Sequence, residues 1–427
     1  MWLMKDTPSL LTDMYELTMA QVYFTKRMNQ PAYFEVTIRR LPEDWGFFVM
    51  AGLDEIESYV REFRFSKVDV EFLQSTERFS DDFLQYLAAL TPDVKIRALP
   101  EGTVFFPNEP LLEVAGPLIG AQLLESYILN ILGFSIIQAT LATRTIIAAK
   151  GAAVVDFGLR RCQGPVASVR SARGAQIAGF SATSNLFAAK KLNFAPSGTM
   201  AHSFIHVHES QEQAFRNFAD AYGENSILLV DTYDCAEGIR QAARLAKQLD
   251  ERKNVRIAGI RIDSGDLVEL ARFARSHFAE QGVPFVKIFV SGDLDEFKID
   301  DLRRQAAEID GFGIGTNFGV SRFAPAVEIV YKIVQYGGRG VFKTSPGKET
   351  RPGRKMVARV CDKYYQKDIV SPLQEPRADD LLKPYESVEP MPTIQQRLAA
   401  ELVRLDDSVK AIRDPKKYPV EFKCHSS

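Results

Sequence analysis

Four carboxylates stand at the ends of short apolar runs: Asp231 behind Leu228-Leu229-Val230, Asp263 and Asp266 behind Ile260-Arg261-Ile262, and Asp293 behind Phe289-Val290-Ser291-Gly292. Gathered in one place they would repel one another unless cations, either arginines or Mg2+, sat among them. Arg160 and Arg161 follow Phe157-Gly158 closely, Arg261 lies inside the run that ends in Asp263, and all three can fork onto phosphate or carboxylate oxygens. Two glycine-rich turns add backbone donors. Ser291-Gly292-Asp293 and Gly313-Ile314-Gly315-Thr316 each follow an apolar run and precede a helical stretch, the placement in which loop amides bind phosphate. Each part has a plainer use: an Asp caps a helix, a glycine-rich turn is only a turn, and an arginine pairs with the same aspartates. Their conjunction favours a cation-bridged polyphosphate ligand.

The elements that must position these residues are legible from the same runs. Val154 to Gly158, Leu228 to Thr232, Ile260 to Asp266, Phe289 to Asp293 and Phe312 to Thr316 read as buried strands with polar residues at their carboxyl ends. Helix-period segments such as Ala236 to Ala246 separate the later ones, at roughly thirty residues per unit, the length of a βαβ unit. Successive strand-loop-helix units close into a parallel (β/α) barrel whose carboxyl-end face carries the chemistry.

Composition bounds the rest. At 427 residues the chain exceeds one barrel, so residues 1–120 are expected to form an N-terminal α+β domain, 121–335 the barrel with the active site, and 336–427 a C-terminal segment packed on the first. Apolar content of 46%, charged content of 25% and a net charge of −2 are those of an ordinary globular protein and carry no nucleic-acid or membrane signature. Cys162, Cys235, Cys361 and Cys424 form no Cys-x-x-Cys pair, which fits a reducing, cytoplasmic setting rather than a zinc or disulfide framework. The N-terminus shows no basic-then-apolar leader, and the stretch from Ile128 to Ala149, broken by Asn130, Gln138 and Arg144, reads as a buried helix rather than a membrane span. Histidine is scarce. His202 sits in a small-residue turn at an expected strand end, His206 and His208 alternate with apolar residues as on one face of a strand, and His277 lies in a helix-period stretch. By pattern alone any of these, or His425, is a structural histidine, and His206-x-His208 lacks a third zinc ligand nearby.

Many separated motifs, in order, match one family: Leu11 to Met19, Phe34 to Pro42 with Arg39-Arg40, Phe157 to Arg161, Thr183-Ser184-Asn185, Gly198 to Ser203, Ile262 to Asp266, Ser291 to Glu296, Gly313 to Thr316, Val330-Tyr331-Lys332, and Lys343-x-Ser345-x-x-Lys348. The chain resembles the nicotinate phosphoribosyltransferases over most of its length. The resemblance implies the fold of the type II phosphoribosyltransferases: an irregular (β/α) barrel with a flanking α+β domain built from both termini. It also implies transfer of ribose 5-phosphate from phosphoribosyl pyrophosphate to nicotinate, with Mg2+ and with ATP as co-substrate, in a homodimer that shares its active sites. Carried over by position, Phe157 stacks on the pyridine ring, Tyr15 approaches from a partner subunit, and Ser203, Arg160 and Arg161 take the nicotinate carboxylate. Arg261 and Asp263, with Ser264, Gly265, Ser291, Gly292, Asp293, Gly313, Gly315 and Thr316, hold the phosphoribosyl pyrophosphate, and Asp263 and Asp293 are the metal candidates.

His202 takes the position that this family phosphorylates with ATP, and no Gly-x-x-x-x-Gly-Lys-Ser/Thr loop offers ATP another site. Asp13 and Glu16 are spaced as a capping box that puts Tyr15 in the first turn of a helix. Lys343 and Lys348 on a basic loop are weaker candidates. Two departures stand out: Gly179-Phe180-Ser181 has a serine where the family pattern has aspartate, and Ile205 to Glu209 is unusually polar. Either bears on base preference or on the ATP step. A nicotinamide or quinolinate enzyme of the same fold and a non-catalytic nucleotide-binding barrel are the alternatives. An arginine-rich pocket favours an acidic base over its amide.

Overall fold

The structure is a computed structural model that describes residues 8–305, 308–345, 350–375 and 377–423. Contacts divide the chain into two compact units, Gln138–Pro325, and the residues up to Ile137 together with those from Ala326 onward.

The first unit is built on a sheet of six parallel strands: β1 Ala153–Asp156, β2 Ala182–Thr183, β3 Ile227–Leu229, β4 Gly259–Ile262, β5 Lys287–Val290 and β6 Gly311–Ile314. They pair in the order β2-β1-β6-β5-β4-β3. The last strand therefore returns to the first, with Gly311 to Ile314 opposite Ala153 to Asp156, and the sheet curls as a barrel does. Among the described residues only β2 and β3 lack a ladder between them, so the barrel is irregular, open at one seam. The residues after Thr183 fill that seam from one side: Pro196 bridges Thr183, the Thr183 amide donates to the Ala195 carbonyl at 3.0 Å, and the Ser197 amide to the Thr183 carbonyl at 2.9 Å. The strands are short and apolar because both faces are covered. Leu228, Leu229, Ile260, Ile262, Ile288, Val290 and Phe312 are all buried.

Asn185, Ser210, Asp234, Asp266 and Asp295 cap the helices Leu186–Leu192, Gln211–Tyr222, Cys235–Lys253, Leu267–Glu280 and Glu296–Arg304, each side chain accepting a first-turn amide. Asp266 is thus a cap: its carboxylate takes the Val268 and Glu269 amides, both at 3.1 Å. His206 and His208 belong to the turn that starts with the short helix His202–His206, not to a strand, and His208 Nδ1 meets the Phe204 carbonyl at 2.7 Å.

The apolar stretch expected to be a buried helix is one. The helix Glu125–Ala149 lies in a segment long and apolar enough to cross a membrane by length and composition, and 78% of its most apolar window is buried inside the protein. Arg144, fully buried within it, pairs with the buried Glu296 at 3.3 Å. Both charges are retained in the interior because each is the other's counter-ion.

The second unit is α+β and draws on both termini. The strand Pro31–Ile38 pairs antiparallel with Leu112–Pro117 on one side and with Ile329–Tyr336 on the other, and Lys355–Cys361 pairs with Tyr365–Pro372. Its interior holds a charged knot. Arg359 grips Asp368 through Nε at 2.8 Å and Nη2 at 2.6 Å, and Glu401 through Nη1 at 2.6 Å. Glu109 and Asp368 are both fully buried. Glu109 Oε1 finds no donor and lies against the Asp368 carboxylate, while Oε2 accepts the Phe106 amide at 3.0 Å. Burial, then repulsion by Asp368, holds the Glu109 carboxyl well above the usual range, and protonation turns its orphan oxygen into a donor to Asp368.

A carboxyl whose folded pKa is raised stabilises the fold below its unfolded pKa, about 4.3, and loses that contribution as pH climbs through the folded value. Melting temperature followed from pH 5 to 10 should therefore fall on the alkaline side for the wild-type chain. Glu109→Gln, which keeps the donor and cannot ionise, should flatten that fall, and an unchanged profile would show that Glu109 is ionised throughout.

Candidate active site

Arg261 is the one polar residue of β4, and its guanidinium crosses to the segment that fills the seam. Nη1 donates to Thr199 Oγ1 at 3.0 Å and Nη2 to the Met200 carbonyl at 3.1 Å, while Nε is buried without a partner. The same guanidinium stands 6.0 Å from the centre of the Phe157 ring. Burial lowers the Arg261 pKa, Asp263 and Asp231 oppose that, and the charge of Arg160 adds to it.

The aspartates are linked rather than merely crowded. Asp231, buried behind β3, accepts the Asp263 amide at 3.0 Å and the Ser264 hydroxyl at 2.6 Å through Oδ2, and its buried Oδ1 has no hydrogen bond. Asp263 Oδ1 in turn accepts the Ser291 hydroxyl. The turn that follows is confined by contact with the same residue. Gly292 has φ +96°, and a Cβ there would lie 1.9 Å from the Asp263 carbonyl oxygen, so no side chain fits. Asp293 also adopts positive φ, and it is held by Lys298 Nζ on its carbonyl at 2.7 Å and by Asn317 Nδ2 at 3.0 Å.

Phe157 continues β1 by donating its amide to the Ile314 carbonyl at 2.7 Å. Its ring lies over Gly313, where a Cβ would come within 2.3 Å of it. Gly315 and Thr316 open a single helical turn, Thr316–Gly319, rather than a full helix. Arg160, Arg161 and Ser203 are exposed, and none of their side chains has a hydrogen-bond partner among the described residues. Gly265, at φ +89°, completes the exposed turn after Ser264. His202 begins its short helix half-buried, with Nδ1 3.0 Å from Thr232 Oγ1.

Three residues at this edge act as supports, a role the sequence did not assign to any of them. Asp156 accepts the Gly158 amide and the Thr183 hydroxyl, both at 2.7 Å, and so clamps the loop that carries Phe157 to the Arg161 pair. Burial raises the Asp156 carboxyl pKa, with these two donors opposing the shift. Thr232 faces His202. Ser181, the departure noted in the sequence, donates to the Val154 carbonyl at 2.8 Å and so serves the strand edge.

The remaining candidates lie in the α+β unit. Tyr15 sits in the first turn of the helix Met14–Thr25, 46% exposed, and its hydroxyl hydrogen-bonds the Glu125 carboxylate. The expected capping box does not form. Ser126 draws both carboxylates away, its hydroxyl reaching Asp13 at 2.7 Å and Glu16 at 2.5 Å, so the Asp13 side chain makes no cap bond. The same unit contains a cavity of about 260 Å3 lined by Arg39, Lys332, Arg351 and Lys355 around Glu35. Lys343 is exposed beside its strands, whereas Lys348, Cys424 and His425 fall outside the described residues. No group of three or more His, Cys, Asp or Glu side chains gathers at metal-binding distance among the described residues.

Family models match the chain in two blocks: residues 10–133 fit the nicotinate phosphoribosyltransferase N-terminal domain and residues 152–368 the nicotinate phosphoribosyltransferase family. The chain belongs to the nicotinate phosphoribosyltransferase family. Among relatives of that family, nicotinate phosphoribosyltransferase pncB2 of Mycobacterium tuberculosis is 43% identical over 351 residues, covering 82% of this chain and 75% of its own. The nicotinate phosphoribosyltransferase of Bacillus subtilis is 37% identical over 365 residues, covering 84% and 74%. The crystal structure of human nicotinic acid phosphoribosyltransferase superposes with a TM-score of 0.82 at 27% identity, covering 97% of both chains. The fold is that of this family, barrel and flanking domain together.

Because Gly292 is fixed both by φ and by the Asp263 carbonyl, Gly292→Ala should force the turn open at a cost of about 1–3 kcal/mol. Thermal unfolding should show a lower melting temperature, and hydrogen exchange should show faster exchange confined to the Asp263 and Ser291 turns. Wild-type exchange in those turns would refute the tight packing described here.

Proposed function

We propose that this chain transfers the 5-phosphoribosyl group of phosphoribosyl pyrophosphate to the ring nitrogen of nicotinate, releasing pyrophosphate in NAD biosynthesis, with ATP hydrolysis coupled through phosphorylation of His202. The observation that carries this reading is the meeting, at one strand-end edge, of an aromatic ring, a largely desolvated arginine and a glycine turn bound to an aspartate: Phe157, Arg261, and Ser291-Gly292 with Asp263. In such a transfer positive charge grows on the ribose ring and negative charge on the leaving pyrophosphate, so fixed charges and donors suit the reaction better than a covalent nucleophile does.

In this reading Phe157 stacks on the base. Arg160, Arg161 and Ser203, exposed and without partners among the described residues, bind its carboxylate. Arg160 lies close enough to Arg261 to depress its pKa, the signature of a site that wants an anion. Asp263, Ser264, Gly265, Ser291, Gly292, Asp293, Gly313, Gly315 and Thr316 hold the ribose and its phosphates. Mg2+ fits this edge only as an ion that takes one carboxylate from Asp263 or Asp293 and fills its shell with phosphate oxygens and water, since no protein cage is gathered there. It would neutralise charge on the departing pyrophosphate.

The domain division is proposed as barrel residues 121–335 between an N-terminal domain and a C-terminal segment. Tyr15, half-exposed and oriented by Glu125, would meet the base from a partner subunit in a homodimer. Cys162, Cys235 and Cys361 are free thiols, which suits the cytoplasm.

Purified protein given phosphoribosyl pyrophosphate and Mg2+ should form mononucleotide from nicotinate, faster with ATP, and His202→Ala should abolish the gain from ATP. Product only from nicotinamide or quinolinate would retain the fold and reject the carboxylate assignment, and no product from any base would leave a nucleotide-binding barrel. Phe157→Ala should raise the KM for nicotinate roughly tenfold with less effect on the KM for phosphoribosyl pyrophosphate.

A further inference from the structure

We propose that Thr232 is the positioning residue for His202, fixing the imidazole so that Nε2 accepts the phosphoryl group. This rests on the reading that ATP phosphorylates His202. A histidine side chain offers two nitrogens, and which of them reacts is set by what the other one holds. Nδ1 of His202 is 3.0 Å from Thr232 Oγ1, and Nε2 has no hydrogen bond among the described residues. For Nε2 to present a lone pair, Nδ1 must carry the ring proton and donate it to Thr232 Oγ1.

The remaining contacts make Thr232 a fixed point rather than a chance neighbour. It follows Asp231, whose Oδ2 ties down the Asp263 amide and the Ser264 hydroxyl, so its backbone is anchored to the turn after β4. The segment before His202 is anchored independently, by Arg261 on Thr199 and Met200. Histidine and threonine are therefore held from both sides of the barrel seam, and rotation of the ring would break the bond that joins them. Nothing else among the described residues bonds the ring.

The step balances. The γ-phosphorus of ATP forms a bond to Nε2 as its bond to the β,γ-bridging oxygen breaks, and ADP leaves with that electron pair. The proton on Nδ1 stays on the ring against Thr232 Oγ1, so the phosphorylated imidazole is a cation and its phosphoryl group remains labile. Thr232 touches no reacting atom in this scheme. It acts through the ring, by selecting the tautomer and the rotamer.

The test uses the full chain with γ-labelled ATP and Mg2+, and identifies the phosphohistidine isomer with isomer-specific antibodies after quenching at alkaline pH. The wild-type chain should carry the Nε2 isomer. Thr232→Val, which keeps shape and loses the hydroxyl, should label about tenfold more slowly and yield a mixture of isomers, whereas Thr232→Ser should restore both rate and isomer. Melting temperatures of both variants show whether the fold survives, and a serine variant that folds but behaves like valine overturns the proposal. So does an Nδ1 isomer in the wild-type chain, or wild-type labelling in Thr232→Val. If the wild-type chain takes up no label while His202→Ala retains full turnover, the phosphorylation reading itself fails and this proposal fails with it. Label on Nδ1 refutes the role of Thr232 alone.

Discussion

A guanidinium that is largely removed from water must have its donors and its charge met by the protein, and Arg261 satisfies that requirement in a way that organises the barrel edge. It rises from β4 and gives two of its donors to the segment that fills the seam, at Thr199 and Met200. The carboxylates of Asp263 and Asp231 oppose the desolvation of its charge. One side chain therefore fixes the distance between the turn after β4 and the segment that leads into His202. An open barrel needs such a link, because among the described residues no ladder joins β2 to β3 and a parallel sheet without a closing strand has free backbone groups at its edges.

The seam is also why the barrel can carry a histidine on it. In a closed barrel the chain between two strands is a loop and a helix on the outside. Here the residues between Thr183 and Ile227 first form the helix Leu186–Leu192, then return beside β2 through Pro196 and Ser197, and only then reach Arg261 and Thr232. That detour brings His202 to the same edge as Asp231. The other side of the edge is built by ordinary register: the paired ends of β1, β6, β5 and β4 place Phe157, Gly313, Ser291 and Asp263 at adjacent strand ends, with Asp156 and Thr183 clamping the first of them.

Legibility in the sequence followed the strength of local signals. Five strands were readable because each is a short apolar run that ends in a polar cluster, whereas β2, two residues long, has no pattern to read. The long apolar helix was readable as buried because Arg144 interrupts it, but the partner Glu296 lies 152 positions away and nothing local points to it. The crowding of aspartates was half legible. Asp231 and Asp263 do meet through Ser264 and an amide, while Asp266 obeys the local rule for a helix cap instead. At Asp13 and Glu16 the local rule lost, because Ser126, more than a hundred positions on, engages both ends of the box: its hydroxyl meets the Asp13 carboxylate and accepts the Asp13 amide, and its own amide donates to Glu16. Thr232 was visible in its run, but only the fold puts it against His202.

Two polar atoms at this edge keep their hydrogen-bonding capacity unused, Asp231 Oδ1 and Arg261 Nε, both buried. Such atoms are rare in folded proteins because each forfeits the bond it had in water. Here the loss is moderated by charge. The Asp231 carboxylate raises the pKa of the Arg261 guanidinium against desolvation, so the two attract without touching. A neutral pair in the same places would have no such compensation and would be expected to recruit closer partners and to collapse the edge. Opposite charges held apart by the turn at Asp263, whose amide occupies the other oxygen of Asp231, keep the edge open and leave unpaired polar capacity beside the arginines and the histidine. Polar capacity that a fold leaves unused, and keeps electrostatically tolerable, is what a binding site requires of its framework.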